Sequence, residues 1–163
     1  MSWIWKTRAG LAFTVAAALA ACGVDNLLIA AASALVSEEI VRTPPGWEWA
    51  DGVVGYVWVG LFVCMGLASW LAYRSGWPGA VRDGRLALSL LVVCMLYPVY
   101  TLGMRAIPGL VANVAVLALT CGVAALVRRS SATAAGLLAP IGLWLAVATL
   151  SMIQLVGLNF AAP

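Results

Sequence analysis

Long apolar runs alternate with short polar breaks along the whole chain, and five runs can be separated. They cover residues 9–36, 52–73, 86–104, 108–127 and 134–162. Each is near or above the ~20 residues that a helix rising 1.5 Å per residue needs to cross a hydrocarbon layer. None shows the apolar–polar alternation of a membrane β-strand, and in lipid a helix satisfies its backbone hydrogen bonds within one segment. Thr43-Pro44-Pro45-Gly46 and Ser75-Gly76-Trp77-Pro78-Gly79 carry helix-stopping residues. Ile107-Pro108-Gly109 reads as a tight third connection and Arg128-Arg129-Ser130-Ser131 as the fourth. The pattern predicts an all-α membrane protein: one domain over residues 1–163, folded as a bundle of five transmembrane helices.

Composition turns that pattern into a statement about solvent. Apolar residues make up 64% of the 163 and charged residues 9%, against about 25% charged in a soluble domain. So little charge cannot cover a water-facing surface, which makes the lipid bilayer the expected partner. There is no histidine, which excludes a Ser-His-Asp triad, a His-ligated haem and an HExxH zinc site. A scattered net charge of +3 gives no footprint for nucleic acid. Cys22, Cys64, Cys94 and Cys121 lie far apart in apolar runs, without a CxxC pair. They read as small buried hydrophobes, and no metal site is expected.

Charge also sets orientation. With five spans, Lys6, Arg8, Arg74, Arg82, Arg85, Arg128 and Arg129 fall on one side, and Arg42 and Arg105 on the other. The positive-inside rule then puts the N-terminus in the cytoplasm and the C-terminus outside; long helices favour a bacterial inner membrane. Leu19-Ala20-Ala21-Cys22 resembles a lipoprotein cleavage box, but the apolar run continues to Val36. A retained helix is the expectation.

A few residues could carry chemistry. Asp25 lies deep in the first run, where a carboxyl is costly and marks either function or a shorter helix with Asp25 near the interface. Glu38, Glu39, Glu48 and Asp51 make the first loop acidic and are candidate acids, or simply solvate that loop. Of the eight tryptophans, Trp3, Trp5 and Trp77 suit an interfacial belt. Trp47 and Trp49 flank Glu48. Trp58, Phe62, Gly66 and Ser69 share one helical face, as do Trp144, Ala148 and Ser151. Such faces can wall a flat slot or pack helices together. Tyr97 and Tyr100 bracket Pro98, which should kink the third helix. Asn113, Gln154 and Asn159 are expected to make interhelical hydrogen bonds.

Read in order, these residues resemble the TspO/MBR family, the tryptophan-rich sensory proteins related to the mitochondrial translocator protein. The resemblance rests on Ala20-Ala21-Cys22-Gly23, on Pro44-Pro45-Gly46-Trp47, and on Trp58, Leu61, Phe62, Met65, Gly66 and Ala68 in the second helix. Pro98, Tyr100, Gly103 and Arg105 in the third, and Pro140, Trp144, Ala148 and Thr149 in the fifth, complete it. Thr43 replaces the usual tryptophan before Pro-Pro, and Phe62 the usual tyrosine. The resemblance implies a five-helix protein, often a homodimer, that binds porphyrin, haem or a sterol- or isoprenoid-like molecule for transport or sensing. No resident cofactor is required; haem would be a ligand. By resemblance Trp58, Phe62, Trp144 and Ala148 line the chamber, Trp47 and Trp49 close it, Tyr97 or Tyr100 contributes, and Arg42 pairs with a propionate. The alternative is an intramembrane isomerase or cyclase, or a porphyrin-degrading enzyme, with Asp25 or a loop carboxylate as acid.

Overall fold

A computed structural model of the chain describes residues 7–33, 44–97 and 106–161. Glu38, Glu39, Arg42 and Tyr100 lie outside the described residues, as does the proposed kink at Pro98. Five helices are present among the described residues: α1 (Arg8–Ser33), α2 (Glu48–Arg74), α3 (Ala80–Met95), α4 (Ala106–Val127) and α5 (Ala132–Ala161). No strand occurs among them. Four helices, all but α3, are long and apolar enough to cross a membrane. The described part of α3 has 16 residues.

The starts of α1 and α5 follow capping chemistry rather than the edges of the apolar runs. Thr7 Oγ1 accepts the Gly10 N–H at 3.3 Å and Ser131 Oγ accepts the Ala134 N–H at 3.1 Å, each capping the helix that follows. Pro108 lies inside the first turn of α4, not in a connection. A proline there loses no hydrogen bond, because the first-turn N–H groups have no helical partner. α3 begins at Ala80, six residues ahead of the apolar run, and takes in Arg82, Asp83 and Arg85. Asp83 sits in its first turn, where the helix dipole favours a carboxylate.

α2 touches three partners: α1, α3 and α5. α3 and α4 meet, α4 and α5 meet, and α1 touches α3 lightly, so the circuit runs α1–α2–α5–α4–α3. Phe62, Met65, Leu90, Leu138, Ile141 and Leu145 fill the interior. α1 docks through Gly10, Thr14, Ala18, Cys22 and Asp25, a stripe of three- and four-residue steps. A Cβ at Gly66 would stand 3.2 Å from Thr14 Cγ2 and 3.3 Å from Ala18 Cβ, so the glycine sets how closely α1 and α2 approach. One turn further along α2, Ser69 Oγ donates to the Gly84 carbonyl at 2.9 Å, and Tyr73 lies over Gly84. Phe13, Leu27, Tyr56, Val111, Leu143 and Leu150 point outward and are exposed. Such a surface aggregates in water and is at home in lipid. α5 contains Pro140.

Candidate ligand cavity beneath the Trp47 loop

The loop that enters α2 is shaped by two prolines and a glycine. Trp47 N–H donates to the Pro44 carbonyl at 3.1 Å, and Gly46 has φ +89°. That is a type II turn, with proline preset at its second position and the left-handed third position open to glycine. Glu48, exposed on the rim, accepts the Gly46 N–H through Oε2 at 2.9 Å. The turn aims the Trp47 indole at α5. Its Nε1–H donates to Gln154 Oε1 at 2.8 Å, and Gln154 Nε2 donates back to the Pro45 carbonyl at 3.2 Å. One side chain thus latches the loop at two points.

Behind this latch lies a cavity of about 260 Å³ between α2 and α5. Trp47, Ala50 and Val54 form one wall, and Trp144, Ala148 and Ser151 the facing one. Pro44, Val147, Met152 and Leu155 complete it. Trp49 is exposed outside and stacks on Trp47, with ring centroids 6.1 Å apart. Breaking the latch has a bounded cost. Trp47→Phe keeps a ring but loses the donor, and should lower stability by about 0.5–1.5 kcal/mol, the net value of one such bond. Gln154→Leu also loses the bond to the Pro45 carbonyl and should cost more than Trp47→Phe, with the double variant no worse than Gln154→Leu alone in thermal unfolding.

Trp58 and Phe62 face elsewhere. Trp58 is half-buried, with its ring 5.6 Å from Phe62 and 6.0 Å from Tyr97. Phe62 is fully buried. Tyr97 donates its hydroxyl proton to Asn113 Oδ1, which ties α4 to the end of α3. Asn113 is fully buried, and its Nδ2 has no partner among the described residues. The aromatic residues therefore form two groups, one lining the cavity and one packed between α2, α3 and α4.

Asp25 belongs to neither group. It is 4% exposed at the α1 seam, within electrostatic reach of Cys22 and Cys94, and its Oδ1 has no partner. The one ion pair among the described residues joins Arg82 to Asp83, at 2.8 Å. Asp51 falls in the first turn of α2. The resemblance puts Trp58, Phe62, Trp144 and Ala148 in one chamber closed by Trp47 and Trp49; the cavity lining holds Trp47, Trp144 and Ala148 but not Trp58, Phe62 or Trp49. The partnership of Gln154 with the loop was not legible, because the two are 107 residues apart. Leu155 could have been found by extending the face of Trp144, Ala148 and Ser151 by one more turn.

No curated protein and no solved structure gave a match to this chain. The model of the TspO/MBR family matches residues 13–157, a stretch that includes both walls of the cavity and all but the first residues of α1. The chain is accordingly an integral membrane protein that belongs to the TspO/MBR family.

Proposed function

We propose that this protein binds a flat hydrophobic molecule in the cavity beneath the Trp47 loop, for transport across the membrane or for sensing. The observation that carries this reading is the cavity itself: two indoles and a small residue, Ala148, bound a mostly apolar space that a hydrogen-bonded loop covers. Clefts of this kind, apolar with few polar groups, are where hydrophobic ligands bind. Family membership supplies the ligand classes, which are tetrapyrroles and sterol- or isoprenoid-like molecules. These are cargo or signal here, not resident cofactors. In this proposal α3 also crosses the bilayer, giving five spans with the N-terminus in the cytoplasm, and the protein works as a homodimer.

The acid-catalysed alternative needs a carboxyl beside the ligand. Asp25 is outside the cavity lining, and Glu48 faces outward on the rim with its Oε2 bonded to Gly46. Neither of these two described carboxyls stands in the cavity lining, which supports the binding reading. Energy transfer from tryptophan to the fluorescent sterol dehydroergosterol, in lipid nanodiscs, tests it. Trp144→Ala should weaken saturable transfer at least tenfold, since removing the ring deletes one wall. Transfer that never saturates, or that Trp144→Ala leaves unchanged, would overturn the reading.

A further inference from the structure

α1, α2 and α3 enclose a second cavity, toward the opposite end of α2 from the Trp47 loop. It measures about 180 Å³ and shares no lining residue with the first. Phe13 and Ala17 of α1 stand on one side, Leu88 and Leu91 of α3 on the other, and Gly66 and Ser69 of α2 at the back. Gly66 lets α1 lie close against α2, while α1 touches α3 only lightly. Phe13 is 61% exposed and Leu88 43%, so the cleft opens sideways between α1 and α3. In an integral membrane protein that opening meets the acyl chains of the bilayer.

The wall of the cleft is almost wholly hydrocarbon. Its two hydroxyls are turned to backbone: Thr14 Oγ1 donates to the Gly10 carbonyl at 2.8 Å and Ser69 Oγ to the Gly84 carbonyl at 2.9 Å. An apolar cavity of about 150 Å³ stays dry yet takes up a six-carbon ring. About 180 Å³ therefore has room for a run of methylenes. Left empty, the lining would forfeit dispersion contacts on one side. The nearest filler is a lipid tail, which is as apolar as leucine.

Charge decides which lipid. The start of α1, the end of α2 and the start of α3 share one end of the bundle, and Arg8, Arg74, Arg82 and Arg85 are exposed there. Arg82 is drawn onto the fully buried Asp83 at 2.8 Å, and Arg74 lies over the Trp70 ring, 4.4 Å from its centroid. Arg85 adjoins Leu88, because residues three apart are neighbours on a helix surface. The rise of a helix separates the two by only about 4.5 Å along the axis. A guanidinium thus stands just beyond the cleft on the headgroup side, where exposed Trp77 also suits an interface. Basic pockets between membrane helices bind anionic headgroups, and a guanidinium matches a phosphate with two parallel N–H donors.

We propose that this cleft seats one acyl chain of an anionic phospholipid, with the lipid phosphate on Arg85. The site is separate from the cavity beneath the Trp47 loop and does not depend on what that cavity binds.

Native mass spectrometry tests this on the full chain in detergent, after incubation with equimolar dioleoyl phosphatidylglycerol and dioleoyl phosphatidylcholine. The expected result is about fivefold more phosphatidylglycerol than phosphatidylcholine retained, the equivalent of the ~1 kcal/mol that one arginine contributes near an anionic surface. Arg85→Gln should bring the two lipids to parity. Ala17→Trp, which fills the cleft, should remove most of the retention of both, and Leu88→Trp repeats this from the other side should Ala17→Trp fail to fold. Arg128→Gln with Arg129→Gln, in the connection of α4 and α5, should change neither. Equal retention of the two lipids by the unaltered chain, or a preference that Arg85→Gln keeps, would overturn the placing of the phosphate. Retention that neither cleft variant lowers would overturn the site. A dimer that the cleft variants split while lipid retention holds would mean that a second copy covers the cleft, and would overturn it as well.

Discussion

Replacing Asp25 by leucine is expected to raise the stability of this protein by about 2–3 kcal/mol, although Asp25 is almost fully buried. In most cores, removal of a buried side chain destabilises. Here the side chain brings a carboxyl into an apolar seam, where Oδ1 has no hydrogen bond and no described cation pairs with it. A carboxyl at the centre of a spanning helix costs roughly 2.5–3.5 kcal/mol on insertion scales. Replacing even a paired buried charge by apolar residues of similar volume is often neutral or stabilising by about 1–4 kcal/mol. Thermal unfolding in detergent should show the higher midpoint for Asp25→Leu and a smaller rise for Asp25→Asn, which keeps a polar group. A lower midpoint in both variants would mean that the carboxyl has a stabilising partner, and would return Asp25 to the list of functional acids.

The second large effect has the opposite sign. Gly84→Val should destabilise by about 2–4 kcal/mol. A Cβ at this position would stand 2.6 Å from Tyr73 Cδ2 and 2.8 Å from its Cγ, far inside contact distance. Because Cγ is fixed close to the backbone, the ring cannot clear the space by a small rotation. Overpacking of this kind costs about 1–3 kcal/mol. Parting α2 from α3 also threatens the buried Ser69 bond to the Gly84 carbonyl, worth about 1 kcal/mol. Glycine in a helix interior is itself unfavourable by about 1 kcal/mol against alanine, so contact rather than propensity explains its presence. A double-mutant cycle with Tyr73→Ala checks the cause: the cost of Gly84→Val should fall by more than 1 kcal/mol once the ring is gone. An unchanged cost would place the strain elsewhere.

The helices were legible because lipid enforces a simple rule, apolar length, and the runs at 52–73 and 108–127 lie within helices only a few residues longer. Their starts are not, because the Pro44–Trp47 turn ahead of α2 and the first-turn proline of α4 are local features that an apolar run does not report. Ile107-Pro108-Gly109 looked like a break for the same reason, since proline interrupts a helix interior but suits its first turn. The apolar run understates α3 at its start because a charged segment, Arg82-Asp83-Gly84-Arg85, precedes it. In the fold Asp83 is fully buried and Arg82 holds it through two donors, Nε at 2.9 Å and Nη2 at 2.8 Å. For the candidate site, periodicity could group residues by face within one helix, as it did for Trp144, Ala148 and Ser151. It could not say which faces meet. Trp58 and Trp144 looked equivalent in sequence, yet one packs with Phe62 and Tyr97 and the other lines a cavity.

Pro140 sits four residues before Trp144 in α5. Lacking an N–H, it leaves the Gly136 carbonyl without its rung, so the rod bends most cheaply there. Everything α5 contributes to the cavity, from Trp144 to Leu155, lies beyond that weak point, and so does Gln154. Ile141 and Leu145 lie beyond the same point and fill the interior. Widening the cavity at this bend therefore draws those two side chains out of the core as well as parting the two hydrogen bonds of the latch.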